Sequence, residues 1–417
     1  MTRKEKILLS ILAIIKFVHI MDFMIMMPLG PQLMKAFNIS PAQFGAIVSS
    51  YGLSAGLFGL FGAFFIDKFD RKVALLYLFA GFTIGTLSCA FAPTHHWLIA
   101  ARIFTGAFGG ILGALVLSIV GDQFPAERRS SAMGIVMGAF SAASVLGVPF
   151  GLYMASIYNW QAPFMLLGGA SVAIFVAILF VVPSLKAHLA EGNRRNPVEF
   201  LENIFTKRNQ QLALLLMVLL MFGQFSIVPY IAPYMVSNVG FTELQLTYIY
   251  LLGGAVTLIT SPLIGRWADN VGNVKMFTIM GLLALIPIAL ITNLPQVPIY
   301  VALIPTTLFF IFIGGRMIPA LTIITSTAMP QNRGGFMTIV TSLQNIASAA
   351  AAFLAGLIIV KNDNGQLEQY AYVGGVAIAA SVACIVLIRF IAPAPNQEVP
   401  VEHAPPTQTA PPADIRA

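Results

Sequence analysis

The chain has 417 residues, of which 58% are hydrophobic and 9% are Asp, Glu, Lys or Arg, whereas soluble domains carry about 25% charged residues. That balance excludes a water-soluble core as the home of the apolar surface, so lipid must be the solvent. The net charge of +7 excludes nothing until the cations are placed, and they fall in short links between apolar runs, which needs no nucleic-acid partner.

Twelve apolar runs of membrane-crossing length are predicted, at about 7–30, 42–66, 73–92, 96–120, 132–156, 162–183, 211–237, 243–265, 275–293, 299–327, 335–360 and 371–391. The first is too long for a signal-peptide core and is expected to stay as an anchor. Basic residues gather on one side of the layer, among them Arg3, Lys68, Arg71, Lys72, Arg128, Arg129, Arg266, Lys275, Arg333 and Arg389. The other side has Lys35 and Lys361. The positive-inside rule then puts both termini in the cytoplasm of a multi-pass plasma-membrane protein, in bacteria the inner membrane.

Predicted span 1 holds Lys16, His19 and Asp22 at successive i,i+3 spacings, so His19 can touch both neighbours. Rising from the basic side at 1.5 Å per residue, Asp22 reaches within about 8–12 Å of the far surface. Arg102 in predicted span 4 lies about 10 Å below the same surface. An Asp22–Arg102 pair is therefore expected. Burial and cationic neighbours act on such an acid in opposite senses, so a change in their distances would take up or release a proton. The alternative is a static packing pair. His19 is either a proton relay or a polar filler; Lys16 is either a counter-charge or a contact for an anionic substrate. Between spans 2 and 3 the link carries Ala63, Asp67, Lys68, Arg71 and Lys72, and between spans 4 and 5 it carries Arg128 and Arg129. Asp67 can pair with Arg128 or Arg129 or accept from a neighbouring helix N-terminus, latching the two halves in one conformation, or Lys68, Arg71 and Lys72 merely fix topology. In span 5, Ser144-Val-Leu-Gly147-Val-Pro149-Phe-Gly151 combines glycines that permit close approach with a proline that frees a carbonyl.

Residues 184–210 form the long internal connection, and Asn196-Pro197 with apolar residues at helical spacing predicts an interfacial helix there. The organisation expected is a six-span bundle over 1–183, this linker, a second bundle over 211–391 and a disordered Pro-rich tail over 392–417. The second bundle repeats the first. Pro31 and Pro233 are 202 residues apart, as are Asp67 and Asp269, while Pro125 and Pro330 differ by 205, as do Arg128 and Arg333. Such a duplication is the usual plan of a transporter. Predicted cavity residues of the second half are Gln224 and Tyr230 in span 7, Arg316 in span 10, and Gln344 with Asn345 in span 11. Arg316 could instead snorkel toward the basic side, and the neutral residues could join helices to one another. Cys89 and Cys384 lie within apolar runs and read as packing residues.

The Ala63-to-Lys72 loop resembles the signature loop of the major facilitator superfamily, with Gly shifted to Gly62 and Asp70 where a Gly is usual. A degenerate copy keeps Gly265, Asp269 and Gly272. The run Arg102-Ile-Phe-Thr-Gly106 is similar to the helix-4 arginine motif of proton-coupled members. The Gly147–Pro149–Gly151 segment looks like the antiporter motif of drug-efflux branches, and Asp22 to Pro31 resembles the helix-1 motif of drug:proton antiporters. The resemblance implies an all-α fold of twelve transmembrane helices in two pseudo-symmetric six-helix bundles, close to the drug:proton antiporter and sugar-efflux branch. It implies a proton-driven exporter of a small organic molecule, working by alternating access as a monomer, without cofactor or metal. Asp22, Arg102, His19 and Lys16 would couple protons; Asp67, Lys68, Arg71, Lys72, Arg128, Asp269 and Arg333 would form the latch. The rival within the fold is a proton-coupled or facilitative importer of a sugar or metabolite. An enzyme is not expected, since no nucleophile–base spacing, metalloprotease motif or Walker loop occurs.

Overall fold

The computed structural model describes residues 2–185, 207–329 and 333–392, without the side chains of Lys4, Ala63, Phe64, Asp67, Ala126, Glu127 and Ser130. Among the described residues twelve helices are long and apolar enough to cross a membrane. They are α1 Glu5–Ile25, α2 Pro41–Gly62, α3 Arg71–Ala90, α4 His95–Gln123, α5 Ser131–Ile157, α6 Ala162–Val181, α7 Arg208–Val239, α8 Glu243–Val271, α9 Asn273–Thr292, α10 Ile299–Ser326, α11 Arg333–Ile358 and α12 Tyr370–Phe390. The all-α, twelve-span architecture expected from the sequence is the one observed. The interfacial helix predicted after Asn196 and the Pro-rich tail lie outside the described residues.

Span 1 is the clearest difference in boundaries. Its helix stops at Ile25 rather than near Gly30, because Pro28 has no N–H to give and disfavours helical backbone at the residue before it. A separate short helix, Gly30–Ala36, then leads to α2. Proline interrupts the equivalent place in α7, where helix restarts at Val228 with Pro229 in its first turn.

Local caps show how deep the duplication runs. Ser40 opens α2 and Thr242 opens α8, each in a capping box closed by Gln43 or Gln245; the two boxes are 202 residues apart. Just before them Asn38 (φ 50°) and Gly240 (φ 91°) both adopt left-handed backbone, at the same spacing of 202. Asn tolerates that region and Gly enters it freely, so one turn is built twice from different residues.

The halves meet along two seams, α2 against α11 and α5 against α8. Glycines make both possible. A Cβ on Gly52 would sit 3.0 Å from the Asn345 carbonyl of α11, and one on Gly254 would sit 3.1 Å from the Ser144 carbonyl of α5. These glycines are again 202 apart, so each half contributes the same small residue to the other's partner helix.

Burial divides into three main clusters. One draws on both halves at the end remote from the basic loops, joining Met26, Leu29, Phe44 and Val148 to Tyr230, Ile231, Ile249 and Ala355. The other two belong to one half each, apart from Leu60 packed at the edge of the second. Leu12, Leu75, Val116 and Val136 form one, and Leu216, Phe277, Ile324 and Phe336 the other. Buried clusters thus bridge the halves at the far end only; toward the basic end the contact that continues is the α2–α11 seam, where a Cβ on Gly56 would sit 2.7 Å from the Ser342 carbonyl, and the cleft between the halves lies beside that seam. Far-end hydrogen bonds cross the join: Gln32 Nε2 donates to Glu243 Oε2 at 2.7 Å, and Tyr230 OH donates to the Ala352 and Pro41 carbonyls at 2.8 and 3.3 Å.

At the basic end the observed ion pairs run within the N-terminal half. Arg71 Nε meets Asp122 Oδ2 at 2.9 Å. The sequence places Arg128 opposite Asp67, but its guanidinium bonds Glu5 of α1 at 3.1 Å, and the Asp67 side chain lies outside the described residues. Lys72 donates to the Leu179 carbonyl at 3.0 Å, and Lys68 lies 5.1 Å from the Phe65 ring centroid. Asp269 and Arg333 are exposed. In this conformation Arg71 and Arg128 bond to acids of their own half.

Candidate functional site

Phe23 of α1 and Phe225 of α7 face each other across the join, their ring centroids 6.1 Å apart. They are 202 residues apart and so occupy equivalent places in the two halves. Lys16 and His19 stand seven and four residues before Phe23, on the same α1 face, which therefore looks into the cleft. Both are half-buried.

Asp22 turns away from that face into the N-terminal bundle and is fully buried, with Arg102 of α4 beside it. Arg102 Nη1 donates to Asp22 Oδ2 at 2.7 Å and also reaches the Asp22 carbonyl at 3.3 Å. Thr86 of α3 donates to the other carboxylate oxygen at 3.1 Å. The guanidinium carbon of Arg102 lies 4.3 Å from the Tyr51 ring centroid, in cation–π contact. Tyr51 OH is hydrogen-bonded to His19 Nε2 at 3.1 Å. Four helices thus converge on one ion pair, with His19 at its cleft side. Close approach depends on α4: a Cβ on Gly109 would lie 2.5 Å from Tyr51 OH and 3.2 Å from His19 Nε2.

Removing one member of such a pair costs about 3–5 kcal/mol, because the other is left as a bare buried charge. The pair is also unfinished. Arg102 Nε and His19 Nδ1 are buried without a hydrogen-bond partner among the described residues. The carboxylate is thus held by a cation and a hydroxyl, and Tyr51 stands between that pair and the His19 imidazole.

The proline-containing motif of α5 adjoins this cluster. A π-helical turn spans Ala143–Gly147 before Pro149, a local insertion often found where function needs irregular backbone. A Cβ on Gly147 would lie 3.0 Å from Met21 Sδ, and one on Gly151 2.7 Å from Ile25 Cδ1. The motif therefore packs on the α1 turns bearing Asp22, while its Ser144 carbonyl meets Gly254 of α8. One segment touches both the charged helix and the opposite half.

The second half looks different. Arg316 is 1% exposed; its Nη1 donates to Ser381 Oγ of α12 at 2.8 Å, while Nε and Nη2 are buried without partners among the described residues. It does not snorkel. Gln224 stands 202 residues after Asp22, with its Oε1 buried and unpartnered among the described residues. Gln344 and Asn345 are half-buried on α11, where the Asn345 carbonyl faces Gly52. Tyr230 is a correction: expected in the cavity, it is fully buried in the closed join and spends its hydroxyl on Ala352 and Pro41. Sequence reading finds Asp22, Arg102 and Arg316 because charge within an apolar run is conspicuous. It misses Thr86, Tyr51, Ser381 and the Gln32–Glu243 bond, since neutral side chains in spans, or polar ones at their ends, carry no comparable signal.

The sequence model of the Major Facilitator Superfamily matches residues 12–315 and, again, 213–416. The second match starts 201 residues (213 − 12) after the first, close to the repeat spacing. The uncharacterized MFS-type transporter YfhI of Bacillus subtilis (strain 168) is 25% identical over 360 residues, covering 82% of this chain and 84% of that protein. The putative transporter AraJ of Escherichia coli (strain K12) is 26% identical over 333 residues, covering 77% and 80%. Among solved structures, the nucleoside transporter NupG superimposes with a TM-score of 0.75 at 12% identity, over 93% of this chain and 99% of NupG. A bacterial homolog of the human lysosomal transporter Spinster, inward-facing and occupied, gives 0.73 at 14% identity, over 94% and 95%. These two likenesses speak to fold alone.

Proposed function

We infer the transport cycle from one premise: the chain belongs to the major facilitator superfamily, and is therefore a secondary transporter. Our reading is proton-driven export of a small organic molecule across a plasma membrane, the inner membrane in a bacterium, by a single copy of the chain. The observation that carries it is the buried Asp22–Arg102 pair, linked through Tyr51 to a half-exposed His19.

In this reading the basic end is cytoplasmic, so the cleft is open to the cytoplasm. Substrate enters there while Asp22 gives up its proton, with His19 as relay. Rocking of the halves about the joined end would then close the basic end, where Asp67, Lys68, Arg71, Lys72, Arg128, Asp269 and Arg333 come within reach of one another, and open the far side. A proton arriving from outside would neutralise Asp22, loosen its hold on Arg102 and accompany release. The motif of Gly147, Pro149 and Gly151 would transmit that change, since it packs on α1 and abuts α8 through Ser144.

The test uses inside-out vesicles with an acid interior, a pH-sensitive dye and a substrate panel. Substrate-triggered proton efflux, present in wild type and absent in Asp22→Asn, is the expected result. Equal proton-coupled transport by both proteins would make Asp22 a packing residue and end this assignment.

A further inference from the structure

Inside the two bundles, away from their aqueous ends, the described residues place one acid, Asp22, and three cations, Lys16, Arg102 and Arg316. Asp22 is matched by Arg102, so two positive charges (3 − 1) remain. Neither Lys16 nor Arg316 has a carboxylate within ion-pair distance among the described residues. Uncompensated charge at such depth is costly and calls for a partner.

Their positions say where that partner goes. Lys16 lies 11 residues from the start of α1 at Glu5, and Arg316 lies 10 residues from the end of α10 at Ser326. At 1.5 Å per residue both stand about 15 Å above the basic end. They belong to opposite halves, below the Phe23–Phe225 contact and so on the open side of the join. Lys16 shares the cleft-facing side of α1 with His19 and Phe23. Among the described residues Arg316 is held by Ser381 alone, and two of its nitrogens are unspent. Ser381 Oγ also donates to the Ala377 carbonyl at 2.8 Å, so it keeps a partner if Arg316 turns to another acceptor.

We propose that the transported substrate is a small organic anion, bearing a carboxylate or phosphate, that is clamped between Lys16 of the first half and Arg316 of the second. This rests on the transport reading given above and adds the charge of the cargo. The anion brings the missing negative charge to a site where the lysine supplies a point charge and the arginine a two-pronged donor. It also explains why the coupling acid has its own private cation. Arg102 keeps Asp22 from competing for the clamp.

The test is thermal unfolding of the purified full-length protein in detergent, followed by flux in vesicles. The probes are benzoate, gluconate and glucose 6-phosphate against tetraphenylphosphonium and glucose. Protection by one or more anions is expected, weakened on the order of tenfold or more in apparent affinity by Lys16→Gln and by Arg316→Gln, and partly restored by Lys16→Arg and Arg316→Lys. Without ligand, Arg316→Gln should unfold at a higher temperature than wild type, since it removes an unpaired buried charge; a purely structural arginine would give the opposite. Protection by no anion, or by anions equally in wild type and both variants, overturns the clamp. Proton-coupled flux of the cation or of glucose instead would also overturn it while leaving the antiport reading in place. Anion protection that depends on both cations, with no proton movement, would uphold the clamp and sink the antiport.

Discussion

The two halves share one backbone plan and divide its chemistry unequally. At spacings of 202 residues they repeat their capping boxes, their left-handed turns, their seam glycines and their central phenylalanines. At that same spacing Asp22 becomes Gln224, His19 becomes Met221 and Lys16 becomes Val218. Arg102 has Pro305 at about the equivalent place, 203 residues on, while Arg316 sits about three turns farther along its helix. Duplication therefore preserved what lets the halves fit each other. The buried ion pair stayed in one half. Symmetric motion needs matched seams, whereas a charged pair needs to exist only once.

Breaking the pair should have the largest effect. Asp22→Asn leaves Arg102 buried without its counter-charge, a loss of about 3–5 kcal/mol, readable as a lower unfolding temperature together with lost coupling. Replacing both residues, as Asp22→Asn with Arg102→Met, should recover most of the stability and none of the proton movement. If the double variant still moves protons, the halves differ in packing alone.

Next comes the spacing of α4. Gly109→Ala drives a methyl into the Tyr51–His19 contact, and overpacking of this kind costs about 1–3 kcal/mol. Thermal unfolding would detect it. The same substitution at Gly254, where the nearest atoms are the backbone of Ser144 and the side chain of Val145, should instead weaken the inter-half seam and raise solvent access across it, as measured by hydrogen exchange.

A change of similar size is expected at the join. Gln32→Ala removes a hydrogen bond to Glu243, worth about 1.5–3 kcal/mol because one partner is charged. It should shift the population toward the outward-open state, seen as faster labelling of a cysteine placed at Ala352, which is buried in the join. The weakest effect contrasts the basic loops themselves. Arg71→Ala loses a pair between a buried arginine and the more open Asp122, while Arg333→Ala at the repeated loop removes an exposed side chain and should stay within about 0.5 kcal/mol. Comparable losses from the two would mean that the second loop is bonded as firmly as the first.

How much of this was legible beforehand follows from the solvent. A bilayer demands helices of fixed length with internally satisfied backbones, so twelve runs could be placed from apolarity alone, and charges such as Asp22 and Arg102 stood out against them. Counting residues along helices then put both at one depth, which is why the pair could be foreseen. Partners across helices were another matter. That Thr86 holds the second carboxylate oxygen, or that Tyr51 lies between Arg102 and His19, depends on how helices are rotated, and hydropathy is silent on rotation. Tyr230 shows the reverse error: a polar tip in an apolar run suggests a wet cavity, yet two carbonyls at the join satisfied it. The break after Ile25 could be read from Pro28, but the hydrophobic run continued through it and obscured the boundary.

The Phe23–Phe225 contact has a mechanical meaning as well. Because the two rings are repeat mates, a rotation that treats both halves alike keeps them opposed, so they mark the fulcrum of the machine. From Phe23 the helix runs 18 residues back to Glu5, an arm of about 27 Å at 1.5 Å per residue. On the other side α1 continues only to Ile25 before its proline break. Each degree of tilt then sweeps the end of the long arm through about 0.5 Å, on the same 1.5 Å rise, so a shift too small to disturb the packing of two rings becomes the opening and shutting of a mouth.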